Sequence, residues 1–205
     1  LVVAHLMALH EVGSNNPDGI EIKKHKDASG KPLDGIAFHP YYTVKDLFGV
    51  GGFLIIFLGI VFFVPDGGGY FLERPNFIQA DPLVTPEHIT PAWYFGAFYA
   101  MLRAVPSKAM GVITMGAAVL ILFAVPWLDR SKVRSIRYKG WLSKIALAVF
   151  SVAFVLLSYY GLQPPSEIGT FISRLGTVVY FAFFLLMPFY TSIEKTKPEP
   201  ERVTG

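Results

Sequence analysis

Long apolar runs alternate with polar connections along the chain. Leu47 to Val64 (LFGVGGFLIIFLGIVFFV), Ala109 to Leu128 (AMGVITMGAAVLILFAVPWL) and Ile145 to Leu162 (IALAVFSVAFVLLSYYGL) hold no charged residue. Leu175 to Tyr190 (LGTVVYFAFFLLMPFY) is shorter and extends back through Phe171 and Ile172. Each run is close to the ~20 residues that cross a bilayer core as a helix. Residues 1–12 are apolar too, and stop at Gly13-Ser14-Asn15-Asn16-Pro17, a strong turn signal. The pattern predicts an all-α polytopic transmembrane helix bundle. It comprises the end of one helix (1–12), a loop (13–46), a domain (47–194) with four full spans, and a tail (195–205). The spans are expected at about 47–64, 109–128, 145–162 and 172–190. The long loop 65–108 is expected to hold short non-spanning helices.

Composition agrees. The 205 residues are 53% hydrophobic and 16% charged, too apolar for an ordinary soluble domain. There is no cysteine, which excludes a disulfide, an iron–sulfur cluster held by this chain and c-type haem attachment. Leu1 opens inside an apolar helix, without the basic start or small-residue cleavage site of a signal peptide, so the helix is expected to begin further upstream.

Charge sets an orientation. Lys23, Lys24, Lys26, Lys31 and Lys45 precede the first full span. Arg130, Lys132, Arg134, Arg137, Lys139 and Lys144 fall between the second and third. The tail adds Lys195, Lys197 and Arg202. The intervening connections are poorer, with Arg74, Arg103 and Lys108 in one and nothing before Arg174 in the other. Alternating basic connections follow the positive-inside rule and put loops 13–46 and 129–144 and the C-terminus on the cytoplasmic side. The basic residues flank spans rather than interleave with aromatics, which speaks for anionic lipid and against nucleic acid.

Several polar residues interrupt this scheme. His5 sits in an apolar helix, where an ionisable group is a functional candidate; it is either an axial haem-iron ligand or a hydrogen-bonded interior histidine. His10 lies about 140° further round the helix, so the two cannot share one ion. With Glu11, Ser14 and Asn15 it forms either a proton-capable cluster or an ordinary interfacial helix end. In AFHPYYTVKDLFG (37–49), Asp46 could cap a helix or move protons, and Phe38, Tyr41 and Tyr42 could form an interfacial belt or a ring-binding wall. TPEHITPAWYFGAFYAMLRAVPSKAMG (85–111) carries Trp93, Tyr94, Phe95, Phe98 and Tyr99. It reads as a non-spanning segment against the bundle, where irregular backbone must be buried or line a cavity suited to a planar lipid-soluble ligand.

HLMALHEVGSNNP, FHPYYTVKD, TPEHITPAWYF, FYAMLRAVPSK and PWLDRSKVRS, in that order, resemble the C-terminal half of cytochrome b, the membrane subunit of the quinol–cytochrome c oxidoreductase. The resemblance covers the chain except Asp18 to Gly35 and the tail after Lys195. The split, chloroplast-type subunit is a poorer match, since it starts after the histidine-bearing helix and lacks the last span. The resemblance implies that His5 is an axial ligand of the high-potential haem b, one of two haems in the complete subunit. It implies a quinone-reduction pocket drawing on His10, Ser14, Phe38, Lys45 and Asp46. It implies a quinol-oxidation pocket on the positive side drawing on Pro91, Trp93, Tyr94 and Tyr99. Arg103, Pro106 and Lys108 fall where a Rieske-type iron–sulfur subunit docks. One position departs: the family's Pro-Glu-Trp-Tyr has a proton-accepting Glu where this chain has Ala92. Glu87 and His88 are the nearby candidates.

The activity so implied is transmembrane electron transfer from ubiquinol through the b haems to ubiquinone, coupled to proton translocation. The implied partners are the iron–sulfur subunit, a cytochrome c1-type subunit and the N-terminal half of cytochrome b. A homodimeric complex in the bacterial inner membrane is expected. The alternatives are a non-catalytic membrane channel or assembly subunit, and an incomplete fragment inactive on its own.

Overall fold

The computed structural model describes residues 1–69, 71–72, 74–85 and 89–204. Among these, the regular structure is helical: α1 (Val2–Val12), α2 (Tyr41–Phe63), α3 (Gly96–Ala104), α4 (Lys108–Leu128), α5 (Trp141–Leu162), α6 (Glu167–Leu185) and α7 (Met187–Ile193), with short 3₁₀ turns between. The one β feature is an isolated bridge between Lys26 and Pro32. Four helices (α2, α4, α5 and α6) are long and apolar enough to cross a membrane.

The helices start earlier than the apolar runs do, and two of them, α4 and α6, begin at a capping serine. Pro40 precedes α2, whose first turns therefore include Lys45 and Asp46 instead of following them. Ser166 caps α6: its hydroxyl accepts from the Gly169 N–H at 3.0 Å, with Glu167 in the first turn complementing the helix dipole. Ser107 caps α4 in the same way.

Two compact units make up the chain, Ile22–Glu87 and the combination of Leu1–Glu21 with His88–Gly205. In the first, α2 buries none of its residues within the chain. Ahead of it, Asp27 organises a tight turn, its carboxylate accepting from the Ser29 N–H and hydroxyl and from the Lys31 N–H.

In the second unit α3, α4, α5, α6 and α7 pack around one core of Ala97, Ala100, Met101, Ala118, Leu157, Tyr180, Phe184 and Met187. Small residues let the backbones meet, as in other membrane bundles. A Cβ on Gly161 would overlap the Gly96 carbonyl oxygen, and one on Gly96 would lie 2.6 Å from the Ser158 carbonyl oxygen. Short α3 thereby meets the end of α5 with backbone against backbone. Phe150 bridges the aromatic interior, with its ring 4.5 Å from Phe183 and 5.3 Å from Tyr180. The Tyr180 hydroxyl donates to the Ala118 carbonyl at 2.8 Å, so its burial leaves no orphan donor. α1 belongs to this unit but buries none of its residues.

Candidate functional site

The two ends of the α3–α7 bundle are chemically different. At one end Trp93, Tyr94 and Phe95 form a 3₁₀ turn leading into α3. The Trp93 and Tyr94 rings meet edge to face at 5.7 Å, and Tyr94 tilts onto Phe95 at 4.7 Å. All three rings are largely exposed, Trp93 at 75% and Tyr94 at 58%. Pro91 and Ala92 precede them, and Ala92 brings no ionisable group to the turn. Behind them, the Arg103 guanidinium stacks 5.1 Å from the Tyr99 ring.

Arg103 does more than line this end. Its two terminal nitrogens donate to the Tyr160 and Gln163 carbonyls at 3.0 and 3.1 Å, capping the C-terminus of α5. Arg174 donates from Nε to the Ala104 carbonyl at 3.0 Å and closes α3 likewise. An open cleft of about 540 Å³ lies beside them, lined by Leu102, Arg103, Val105, Lys108, Pro165 and Ser173 among others. Arg103 is thus committed to holding α3 and α5 together. Glu87 and His88 lie outside the described residues.

The opposite end is polar and strongly tied. Glu194 accepts from the Ser143 N–H at 3.0 Å and the Ser143 hydroxyl at 2.6 Å, a carboxylate capping the start of α5 from across the bundle. Lys139 pairs with Asp129. The Arg130 N–H donates to the Thr191 hydroxyl at 3.0 Å, and the Arg134 N–H to Glu199 at 3.0 Å. Connection 129–140, the start of the loop after α1 and the tail after α7, which charge assigned to one side, meet at this end.

Asp18 is their hub, and sequence reasoning missed it. It is fully buried, yet one carboxylate oxygen accepts from the Tyr138 hydroxyl at 2.6 Å and the Arg137 guanidinium at 2.8 Å. The other accepts from the Thr204 N–H and hydroxyl, both at 2.9 Å. The Tyr138 hydroxyl, then the two donors of Thr204, then Arg137 pull its carboxyl down to about 2. In turn, the carboxylate pushes the Tyr138 phenol up. The signal in sequence was only Pro17-Asp18-Gly19, which reads as a turn.

α1 leads into this end. His5 and His10 are both exposed on it, and Ser14 follows its C-cap Gly13, which adopts a φ of +86°. The His5 ring has no hydrogen bond, ion pair or ring contact among the described residues, whereas His10 and Glu11 each have a partner. No group of three or more His, Cys, Asp or Glu gathers among the described residues. A bare metal ion therefore finds no cage there. A haem brings most of its own iron donors and would need one imidazole from this chain, which the partnerless His5 could supply.

Phe38, Lys45 and Asp46 belong to the other unit. Phe38 stacks on Tyr42 at 6.1 Å, and Lys45 lies over the same Tyr42 ring at 5.7 Å. Asp46 is exposed and makes no hydrogen bond or ion pair among the described residues. Lys45 and Asp46 thus sit in the first turns of α2, and Phe38 packs on its Tyr42 from the segment just before the helix.

Four membrane-length helices among the described residues define a multi-pass membrane protein. Residues 79–181 match the family described as cytochrome b (C-terminal)/b6/petD. Cytochrome b of Allochromatium vinosum is 58% identical over 213 residues, covering 100% of this chain and 51% of that protein. Cytochrome b of Rhodospirillum rubrum is 48% identical over 206 residues, covering 100% and 48%. A solved structure described as a hyperthermophilic respiratory complex III superposes with a TM-score of 0.81 at 34% identity, covering 94% of this chain and 47% of that one. The chain belongs to the cytochrome b family. It spans about half the length of the curated relatives it matches.

Proposed function

We propose that this chain is the C-terminal half of the cytochrome b of a respiratory quinol–cytochrome c oxidoreductase. It would act with an N-terminal half, a Rieske-type iron–sulfur subunit and a cytochrome c1-type subunit, in a homodimeric complex of a bacterial inner membrane. The observation that carries the reading is His5. Its partnerless imidazole on an apolar helix is costly in lipid unless a ligand takes it up. Similarity to cytochrome b along the whole chain supports the same role.

His5 would hold a haem b iron, with further protein ligation supplied by the proposed N-terminal half. The haem, when bound, supplies a one-electron carrier within the bilayer. The chain's own residues do the rest. Trp93 and Tyr94 offer exposed aromatic faces against which a flat quinol ring can lie, and the Tyr94 hydroxyl can hydrogen-bond a quinol oxygen. Pro91 and Tyr99 complete this quinol-oxidation pocket. Ala92 cannot accept a proton, so the acceptor must be another group, with Glu87 and His88 as candidates. Replacing both together should alter the pH profile of turnover.

The proposed quinone-reduction residues are His10 and Ser14 of one unit, with Phe38, Lys45 and Asp46 of the other taken to contribute in the complete protein. His10, Lys45 and Asp46 can hand protons to a reduced quinone, Ser14 can orient its carbonyl, and Phe38 can pack on its ring. A 21-residue α4 separates the ends by about 30 Å, enough to span the hydrocarbon core. Electron transfer across that distance works against the membrane field at about 2.3 kcal/mol per charge per 100 mV. Quinol-dependent cytochrome c reduction by membranes containing the complete complex tests the reading. Tyr94→Leu should slow turnover by at least about tenfold. Unchanged turnover would remove the aromatic turn from the mechanism.

A further inference from the structure

Asp18 opens the loop that follows HLMALHEVGSNNP, and Thr204 lies in the tail after α7. The environment of Asp18 is costly to build. A fully buried carboxylate needs its lone pairs satisfied, and four donors do so. Arg137 and Tyr138 come from 119 and 120 residues away and Thr204 from 186. A surface turn does not require such an arrangement.

The chain on both sides of Asp18 is fixed as well. The Asn16 side-chain oxygen accepts from the Asp18 and Ile20 N–H groups at 3.2 and 3.1 Å, while its amide donates to the Ile20 carbonyl at 2.7 Å. The Ser135 hydroxyl donates to the Pro17 carbonyl at 2.5 Å. Gly19 has a φ of +73°, and a Cβ there would lie 3.1 Å from the Arg134 Cβ, so this backbone seats directly on connection 129–140. Upstream, the Gly13 N–H donates to the Leu9 carbonyl at 2.7 Å and closes α1. Only the short segment Ser14-Asn15 lies between the helix end and this anchored turn. α1 itself has no buried face with which to fix its own position in the chain.

We propose that Asp18 is a positioning residue for quinone reduction: by tying the turn after α1 to Arg137, Tyr138 and Thr204, it sets the placement of Ser14 and His10. The inference rests on the quinone-reduction role proposed for those two residues. It makes the C-terminal tail, through Thr204, part of what shapes that pocket. In this role Asp18 acts through the placement of Ser14 and His10.

The test uses the complete complex in membranes, with the quinol-oxidation end inhibited, and follows reoxidation of reduced b haem by a short-chain ubiquinone analogue. Asp18→Asn keeps the side chain's size but loses its charge. It should raise the KM for quinone roughly five- to tenfold while leaving the quinol-oxidation rate at the far end and the haem content unchanged. Tyr138→Phe, which removes one donor and is the gentler change, should move the same KM in the same direction by less. Unchanged KM in both variants overturns the proposal. So does a fall in haem content and in both half-reactions together for both variants, since that marks general loss of fold. Variants of His10 and Ser14 test the underlying role separately. If they leave this KM unchanged while Asp18→Asn raises it, the role given to His10 and Ser14 fails, and the positioning proposal with it.

Discussion

Asp18 and Gly161 show how much single positions decide here. Asp18's carboxyl, held at about 2 against an ordinary 3.8, favours the folded form whenever it is ionised. The contribution is complete above 3.8 and is lost as pH falls through about 2. Resistance of connection 129–140 and the tail to an acid-active protease should therefore drop between about pH 4 and pH 2, and Asp18→Asn should flatten that drop. Little of this was legible in the sequence. Pro17-Asp18-Gly19 announces a turn, but burial of Asp18 depends on donors more than a hundred residues away, and no local pattern encodes them. His5 was legible for the opposite reason: an imidazole within an apolar run conflicts with its own surroundings, and that conflict is visible in one line of sequence. Ala92 was legible only against a family motif, because an alanine by itself attracts no notice.

At the scale of elements, the apolar runs identified the four spans because lipid demands about twenty apolar residues whatever they pack against. Their starting points were not legible in hydrophobicity: Ser107 and Ser166 set two of them by capping, and α2 begins after Pro40, ahead of its apolar run. The position of α3 against α5 is also a packing result. Five of its nine residues are buried, four of these being Gly or Ala, and it meets α5 at Gly96 and Gly161 with backbone against backbone. Gly161→Ala should push α3 off α5, with an overpacking cost of roughly 1–3 kcal/mol. A lowered thermal midpoint of the complex, together with slower quinol oxidation at the adjoining Trp93–Tyr94 turn, is the expected result. A variant with both quantities unchanged would mean the contact relaxes without moving the turn.

For the whole molecule, charge and packing agree. Connection 129–140, the tail and the start of the loop after α1, which the positive-inside pattern assigned to one side, share one end of the bundle, joined by Asp18, Glu194 and Glu199. The aromatic turn and its Arg103 and Arg174 clamps occupy the other. Reporter fusions at residue 132 and after residue 204 should both report the cytoplasmic side, and a fusion near residue 80 the opposite one. Opposite sides for the first two would break the serpentine order. The exposed circumferences of α1 and α2 are what the proposed N-terminal half would cover.

The central claim is that His5 holds a haem b iron. The most direct measurement is the reduced-minus-oxidised optical spectrum of membranes carrying the complete complex, with and without His5→Leu. Loss of one b-type haem signal, with the other retained, is the predicted result. An unchanged spectrum would contradict it and return His5 to the standing of an ordinary membrane histidine.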